Sequence, residues 1–433
     1  MRDAGSGSIL LQRLVELLII VGTASLIYYQ KITEEGTLTW AALRYRSEFP
    51  FLAGALLGLV ELGLRKQRRR VGQWTAAEKL VFFSLGFYLL SCTNATVLSF
   101  VKFHLLFDSR GFANFSKTAL AIALLALTYA HAKDNRVFYQ WLARALYAFP
   151  LLSVALGIVF LVDPSAYRYV LGAPSLFAGN DPRFQGLTSN PLQVSLGSLV
   201  AISFLWPATI LSAHRGAWMW SGVGLACIEG LTLVVFWAMA RSAVIVLVLL
   251  LVLVAPIMLR RLRAPFLHYV AAMVVIALLL FSAWRLLSSQ DAAALAWRFN
   301  PAAGVDRLDI WKYFARVALA NPLGVGFNYE QKFLFLNPYQ PGINAQNNLL
   351  SAWMFGGLFA VIAVLAFLWG CCRAIAAEFT RSAGHEDYAL YAGTVTAFLT
   401  LWTVSLISGL LFADFTHSIL AAMVISGVPQ AAR

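Results

Sequence analysis

The chain has 433 residues, 60% of them hydrophobic and 12% charged, with 33 Lys and Arg against 20 Asp and Glu for a formal net charge of +13. A soluble domain carries roughly 25% charged residues, so composition excludes an ordinary soluble enzyme or nucleic-acid-binding module and points to an integral membrane protein. The length is therefore counted in spans of about twenty apolar residues rather than in soluble domains.

About twelve spans are predicted, at 9–29, 48–64, 77–98, 118–132, 140–162, 191–211, 218–239, 242–259, 266–284, 349–370, 389–408 and 411–427. They are expected to be helices, because an open strand edge cannot satisfy its backbone groups in lipid. The expected fold class is all-α: a polytopic membrane protein forming a single integral membrane domain, 1–433, with one long loop at 286–348. The first span is too long for a cleaved signal peptide and carries Arg13 and Glu16. Cys92, Cys227, Cys371 and Cys372 form no metal-binding spacing.

Basic clusters orient the chain. Arg65 to Arg70 follow the second span, Lys133 and Arg136 the fourth, Arg215 the sixth, Arg260, Arg261 and Arg263 the eighth, and Arg373 and Arg381 the tenth. All fall on even-numbered connections, which places them and both termini in the cytoplasm and the long loop outside. The outer side nevertheless keeps cations with few acidic neighbours: Lys102, Arg110, Lys117, Arg168, Arg183 and Arg241. Such residues contact lipid headgroups or hold a phosphorylated substrate.

Four outer segments are candidates for chemistry. In the loop 164–190, Arg183-Phe184-Gln185-Gly186 leads towards Asn190-Pro191 and the sixth span. Arg241 stands in a very tight turn between the seventh and eighth spans. A permanent cation there needs water, phosphate or a carboxylate, and its planar guanidinium matches phosphate bidentately. The long loop holds Arg298, Asp306, Arg307, Asp309, Arg316 and Glu330. Within it Ile310, Trp311, Phe314, Val317 and Ala318 recur at helical spacing, which predicts an amphipathic helix over 306–320 with Arg307, Lys312 and Arg316 on or beside its polar face. Asn321-Pro322-Leu323-Gly324-Val325-Gly326 ends that helix. Last, Gln346-Asn347-Asn348 opens the tenth span, ahead of Gly356-Gly357. Amides at such a position cap a helix or hold a sugar hydroxyl.

In order and in placement these segments resemble the O-antigen ligase and O-antigen polymerase superfamily of bacterial envelope enzymes. The resemblance rests on Arg183-Phe184-Gln185-Gly186 with Asn190-Pro191, on Ala240-Arg241-Ser242-Ala243, on Arg307 before Ile310-Trp311, on 321–326 and on 346–357. It implies a glycosyltransferase that needs no metal or other cofactor and works at the periplasmic face of the inner membrane. Its substrate would be an undecaprenyl-diphosphate-linked oligosaccharide. Arg183, Arg241 and Arg307 would hold the diphosphate, with Arg298 as a further substrate-binding candidate. Cations on the leaving diphosphate stabilise the charge that develops there.

One position departs from the ligase pattern. Ligases that the chain resembles carry His-Asn where this chain has Gln346-Asn347, and an amide cannot accept a proton at neutral pH. Glu330 is the nearby carboxylate ranked first as a replacement base, ahead of Asp309 and Asp306. His417, in the last span with Asp414, reads as a packed, hydrogen-bonded pair. The missing His favours a polymerase of O-antigen or exopolysaccharide over a ligase that transfers glycan to lipid A core. Expected partners are the lipid-linked glycan and membrane lipids, with a chain-length regulator and a flippase as candidates. A lipid-linked glycan transporter is the alternative of another class.

Overall fold

The structure is a computed structural model, and it describes residues 4–25, 48–64, 74–104, 109–163, 177–178, 181–184, 191–238, 240–298, 305–327, 332–333, 336–338, 345, 347–381, 385–408 and 415–429. The helices are α1 (Ala4–Ser25), α2 (Glu48–Leu64), α3 (Ala76–Phe103), α4 (Ser109–Asp134), α5 (Arg136–Val162), α6 (Pro191–His214) and α7 (Trp218–Trp237). They continue as α8 (Arg241–Arg261), α9 (Phe266–Arg298), α10 (Val305–Ala320), α11 (Asn348–Arg381), α12 (His385–Ser408) and α13 (Phe415–Ser426). Within the described residues, each predicted span falls on a helix. Among the described residues, eight helices are long and apolar enough to cross a membrane. The protein is a multi-pass, helical membrane protein.

Local signals set several boundaries. Thr75 caps α3 in a reciprocal box with Glu78, and the Asn135 side chain accepts from the Phe138 N–H at the start of α5. Two features depart from expectation. A small antiparallel hairpin, β1 (Phe177–Ala178) with β2 (Asp181–Phe184), stands in the connection before α6, pairing Phe177 with Phe184. Also, α9 runs on to Arg298, so the first part of the segment 286–348 is helical. A helix satisfies its own backbone as it leaves the membrane, whatever the side-chain polarity.

One end of the bundle is tied together by paired charges. Arg136 reaches Asp387 at 2.6 Å and Arg215 reaches Glu386 at 2.7 Å, joining α5 and the end of α6 to the start of α12. Lys133 pairs with Glu78, and Arg261 lies 5.1 Å from the ring centre of Tyr388. Wholly buried His131 sits 3.3 Å from Glu16 and 3.5 Å from Glu61, linking α4 to α1 and α2. Lys133, Arg136, Arg215 and Arg261 belong to the connections that the basic clusters assigned to one side.

At the opposite end, α10 lies across the start of α11. Ile310, Phe314 and Ala318 are buried in a small core with Val325, Ala345 and Met354, separate from the main core of the bundle. The 306–320 amphipathic pattern therefore seats α10 on protein.

Candidate functional site

The site is built from a strap, a broken helix and two arginines. The strap is Asn321 to Phe327, directly after α10. Its geometry depends on glycine: Gly324 has φ +83 and Gly326 φ +77, left-handed values that Cβ-bearing residues rarely adopt. The strap lies against Gly357, where α11 is broken at φ 71, ψ −163. A break strands backbone groups that must find partners elsewhere. Here the Leu358 N–H donates to the Pro322 carbonyl at 2.9 Å, and the Val325 N–H donates to the Met354 carbonyl at 2.8 Å. The Phe327 N–H donates to Thr96 Oγ1 at 3.0 Å, fastening the strap to α3 as well. The two glycine motifs, read separately in the sequence, are thus one joint.

The joint positions α10, and α10 positions Arg307. The expectation set Arg307 on or beside the polar face with Lys312 and Arg316. The structure instead aligns Arg307 with Ile310, Phe314 and Ala318, the buried stripe, while Lys312 and Arg316 are exposed. Arg307 is half-buried at the start of that stripe. Docking on α11 turns the stripe inward, and the arginine extends it.

Arg241 comes from a different element. Trp237 ends α7 and Arg241 is the first residue of α8, so the tight turn expected there is present. Ala240 caps α8 without a side-chain hydrogen bond. The first N–H groups of α8, with the positive end of its dipole, therefore add to the field of the arginine. Arg241 Nε is buried and has no hydrogen-bond partner among the described residues.

The two guanidinium groups act on each other. Burial first, and then the positive charge of Arg241, push Arg307 below its ordinary value. No carboxylate forms an ion pair with either one among the described residues, in contrast to the paired cations of the opposite end. Like charges that act on each other in a partly buried setting repel, because burial weakens the screening by water. An anion between two such groups converts that cost into attraction, and a diphosphate suits the fork of each guanidinium.

The hairpin reaches the same corner. Phe184 is wholly buried and stacks on Trp237, with ring centres 5.2 Å apart and planes inclined by 22°. That contact brings the backbone of Arg183 to the α7–α8 turn. The side chains of Arg183 and of Arg298, the last residue of α9, lie outside the described residues, as do Glu330 and Gln346.

Asn347 caps α11. Its side-chain oxygen accepts from the N–H groups of Leu349 at 2.9 Å and Leu350 at 3.1 Å, leaving its amide N–H groups for other partners. Asn348 Nδ2 donates to Ser405 Oγ across to α12. His417 is buried with its ring edge-on to Trp402 at 6.0 Å, and Asp414 lies outside the described residues. Sequence reasoning missed the hairpin and the cation pair of Lys102 and Lys332 beside the strap, both ammonium groups facing the Phe103 ring.

Residues 225–365 match the model of a family described as O-antigen ligase. The matched segment carries Arg241, Arg307 and both glycine motifs. The match supports the O-antigen ligase and polymerase superfamily over this segment, as the motifs implied. No curated protein matches the chain.

Proposed function

We propose that the chain is a polysaccharide polymerase that joins undecaprenyl-diphosphate-linked repeat units en bloc at the periplasmic face of the inner membrane. The observation that carries this reading is the convergence of Arg241 and Arg307, two cations from different elements with no paired carboxylate among the described residues. In the reaction, an acceptor hydroxyl oxygen attacks the anomeric carbon of the donor. The bond from that carbon to the diphosphate breaks, and the diphosphate leaves with the electron pair. Arg241 and Arg307 stabilise the charge that builds on it, a preorganised role of the oxyanion-hole kind.

In this reading Arg183 and Arg298 help to bind the substrate. Glu330 takes the acceptor proton in place of the absent His, and Gln346 and Asn347 orient sugar hydroxyls beside it. The ion-paired end faces the cytoplasm with both termini, and the arginine end faces the periplasm. A chain-length regulator and a flippase would supply and terminate the work. Gln346 favours a polymerase. The family description favours a ligase acting on lipid A core as the second reading.

The test uses purified protein in lipid with a synthetic undecaprenyl-diphosphate repeat unit, without metal and without lipid A core. A ladder of lengthening lipid-linked glycan is expected. Transfer only after lipid A core is added would make the enzyme a ligase. No transfer in either case, with transport of the lipid-linked glycan across the bilayer, would move it to the transporter class.

A further inference from the structure

His131 is wholly buried at the ion-paired end of α4, and both of its ring nitrogens face carboxylates from other helices. Nδ1 lies 3.3 Å from Glu16 Oε1 of α1, and Nε2 lies 3.5 Å from Glu61 Oε2 of α2. Both carboxylates are buried as well. The reaction proposed above makes no use of this triad, which stands at the opposite end of the bundle from the arginine pair.

The surrounding donors fix where the protons are. Gln12 and Asn135 each donate to Glu16 Oε1 at 2.9 Å, and Arg13 reaches Glu16 Oε2 at 3.3 Å. Glu16 therefore accepts from every side, and Nδ1 meets it as an N–H. The other ring nitrogen then decides the state of the triad. A neutral imidazole with its hydrogen on Nδ1 has a bare lone pair on Nε2. Such a lone pair and a carboxylate oxygen repel when they face each other in a buried site, where water screens little. A proton between them removes the conflict, whether it sits on Nε2 or on Glu61 Oε2. This holds whatever other contacts Glu61 makes. The other charged groups near the ring are engaged elsewhere or turned outward. Lys133 pairs with Glu78 of α3, Arg136 pairs with Asp387 of α12, and Asp134 is exposed.

The triad lies where α2 closes on α4. About one turn before Glu61 the two helices touch, and a Cβ added to Gly58 would lie 2.6 Å from Leu127 Cδ2. We propose that a single proton shared by His131 and Glu61 latches α2 onto α4, and that its loss as pH rises releases this end of α2. The sign follows from linkage. The closed form binds a proton that the open form, with its imidazole in water, gives up as pH rises, so the latch weakens towards alkaline pH.

Thermal unfolding in nanodiscs, from neutral to alkaline pH, tests the latch. The wild-type melting temperature should fall by several degrees as pH rises. In Glu61→Gln the amide N–H donates to the bare Nε2, so the shared proton is no longer needed. This variant should stay folded at neutral pH and lose most of the alkaline fall. Solid-state nitrogen NMR of protein labelled at histidine gives a second readout on the wild type itself, with the His131 signals found by difference from His131→Gln. At neutral pH Nε2 should be protonated or strongly hydrogen-bonded, and it should turn bare over the same range in which the melting temperature falls. An equal alkaline fall in the wild type and in Glu61→Gln would overturn the latch. So would a bare Nε2 in the wild type at neutral pH.

Discussion

A Cβ added to Gly324 would lie 2.4 Å from the backbone nitrogen of Gly357, and one added to Gly357 would lie 2.4 Å from the Pro322 carbonyl oxygen. Both glycines have positive φ. Neither neighbour is a flexible side chain that could yield, so the strap and the broken helix fit only as glycine against glycine. Gly357→Ala should therefore destabilise the protein by at least about 1–3 kcal/mol, the scale of a side chain forced into a glycine-only backbone region. Thermal unfolding in nanodiscs measures this. An unchanged melting temperature would show that the two backbones do not meet.

Loss of either paired arginine should remove activity without unfolding the protein, since neither makes an ion pair among the described residues. Arg241→Ala should lower polymer formation by about a hundred-fold or more, the usual effect of deleting one preorganised donor. Arg241→Lys keeps the charge but not the fork, and should restore little of it. If both arginines hold one diphosphate, Arg307→Gln in the Arg241→Ala background should add little further loss. Ladder assays on the single and double variants decide this, and fully independent losses would separate the two residues.

Asn347 offers a way to separate a cap from a substrate contact. Asn347→Ala should cost about 1 kcal/mol of stability through the lost cap. Asn347→Ser should recover that stability, because a serine hydroxyl accepts from the same N–H groups. If the amide N–H groups of Asn347 hold a sugar hydroxyl, the serine variant should still turn over at least ten-fold more slowly. Melting curves beside turnover give the answer, and full turnover in the serine variant would leave Asn347 as a cap alone.

A general-base role for Glu330 would carry a pH signature. A general base works only when deprotonated, so the rate should rise with pH through its pKa and level off above it. Glu330→Gln should lower the rate by about a hundred-fold and flatten that rise. A pH–rate profile of the variant at normal rate would remove Glu330 from the reaction and return the question to Asp309 and Asp306.

Much of the architecture was legible because lipid imposes a one-dimensional rule. Within the described residues the predicted spans lie on helices, eight of them long and apolar enough to cross a membrane, and 306–320 became α10 at Val305–Ala320. Its apolar repeat named Ile310, Phe314 and Ala318, all buried. The face taken by Arg307 was misread. Grouping Arg307 by charge with Lys312 and Arg316 overrode its i, i+3, i+7 spacing to Ile310 and Phe314, and docking on α11 buried the face that this spacing defines. The hairpin at Phe177–Phe184 escaped because two short strands leave no periodicity to count.

The sequence by itself determined that this is a multi-pass helical membrane protein and where most of its helices run, because hydrophobicity is a property of residues along the chain. It also carried the ordered motifs over 225–365 that point to the superfamily. Only the tertiary structure decided that Gly324 meets Gly357, that Arg241 and Arg307 share one field, and that Lys102 and Lys332 share one ring. Those relationships join residues from 33 to 230 positions apart. They arise when helices pack and bring distant backbones or side chains together, a proximity that no local pattern encodes.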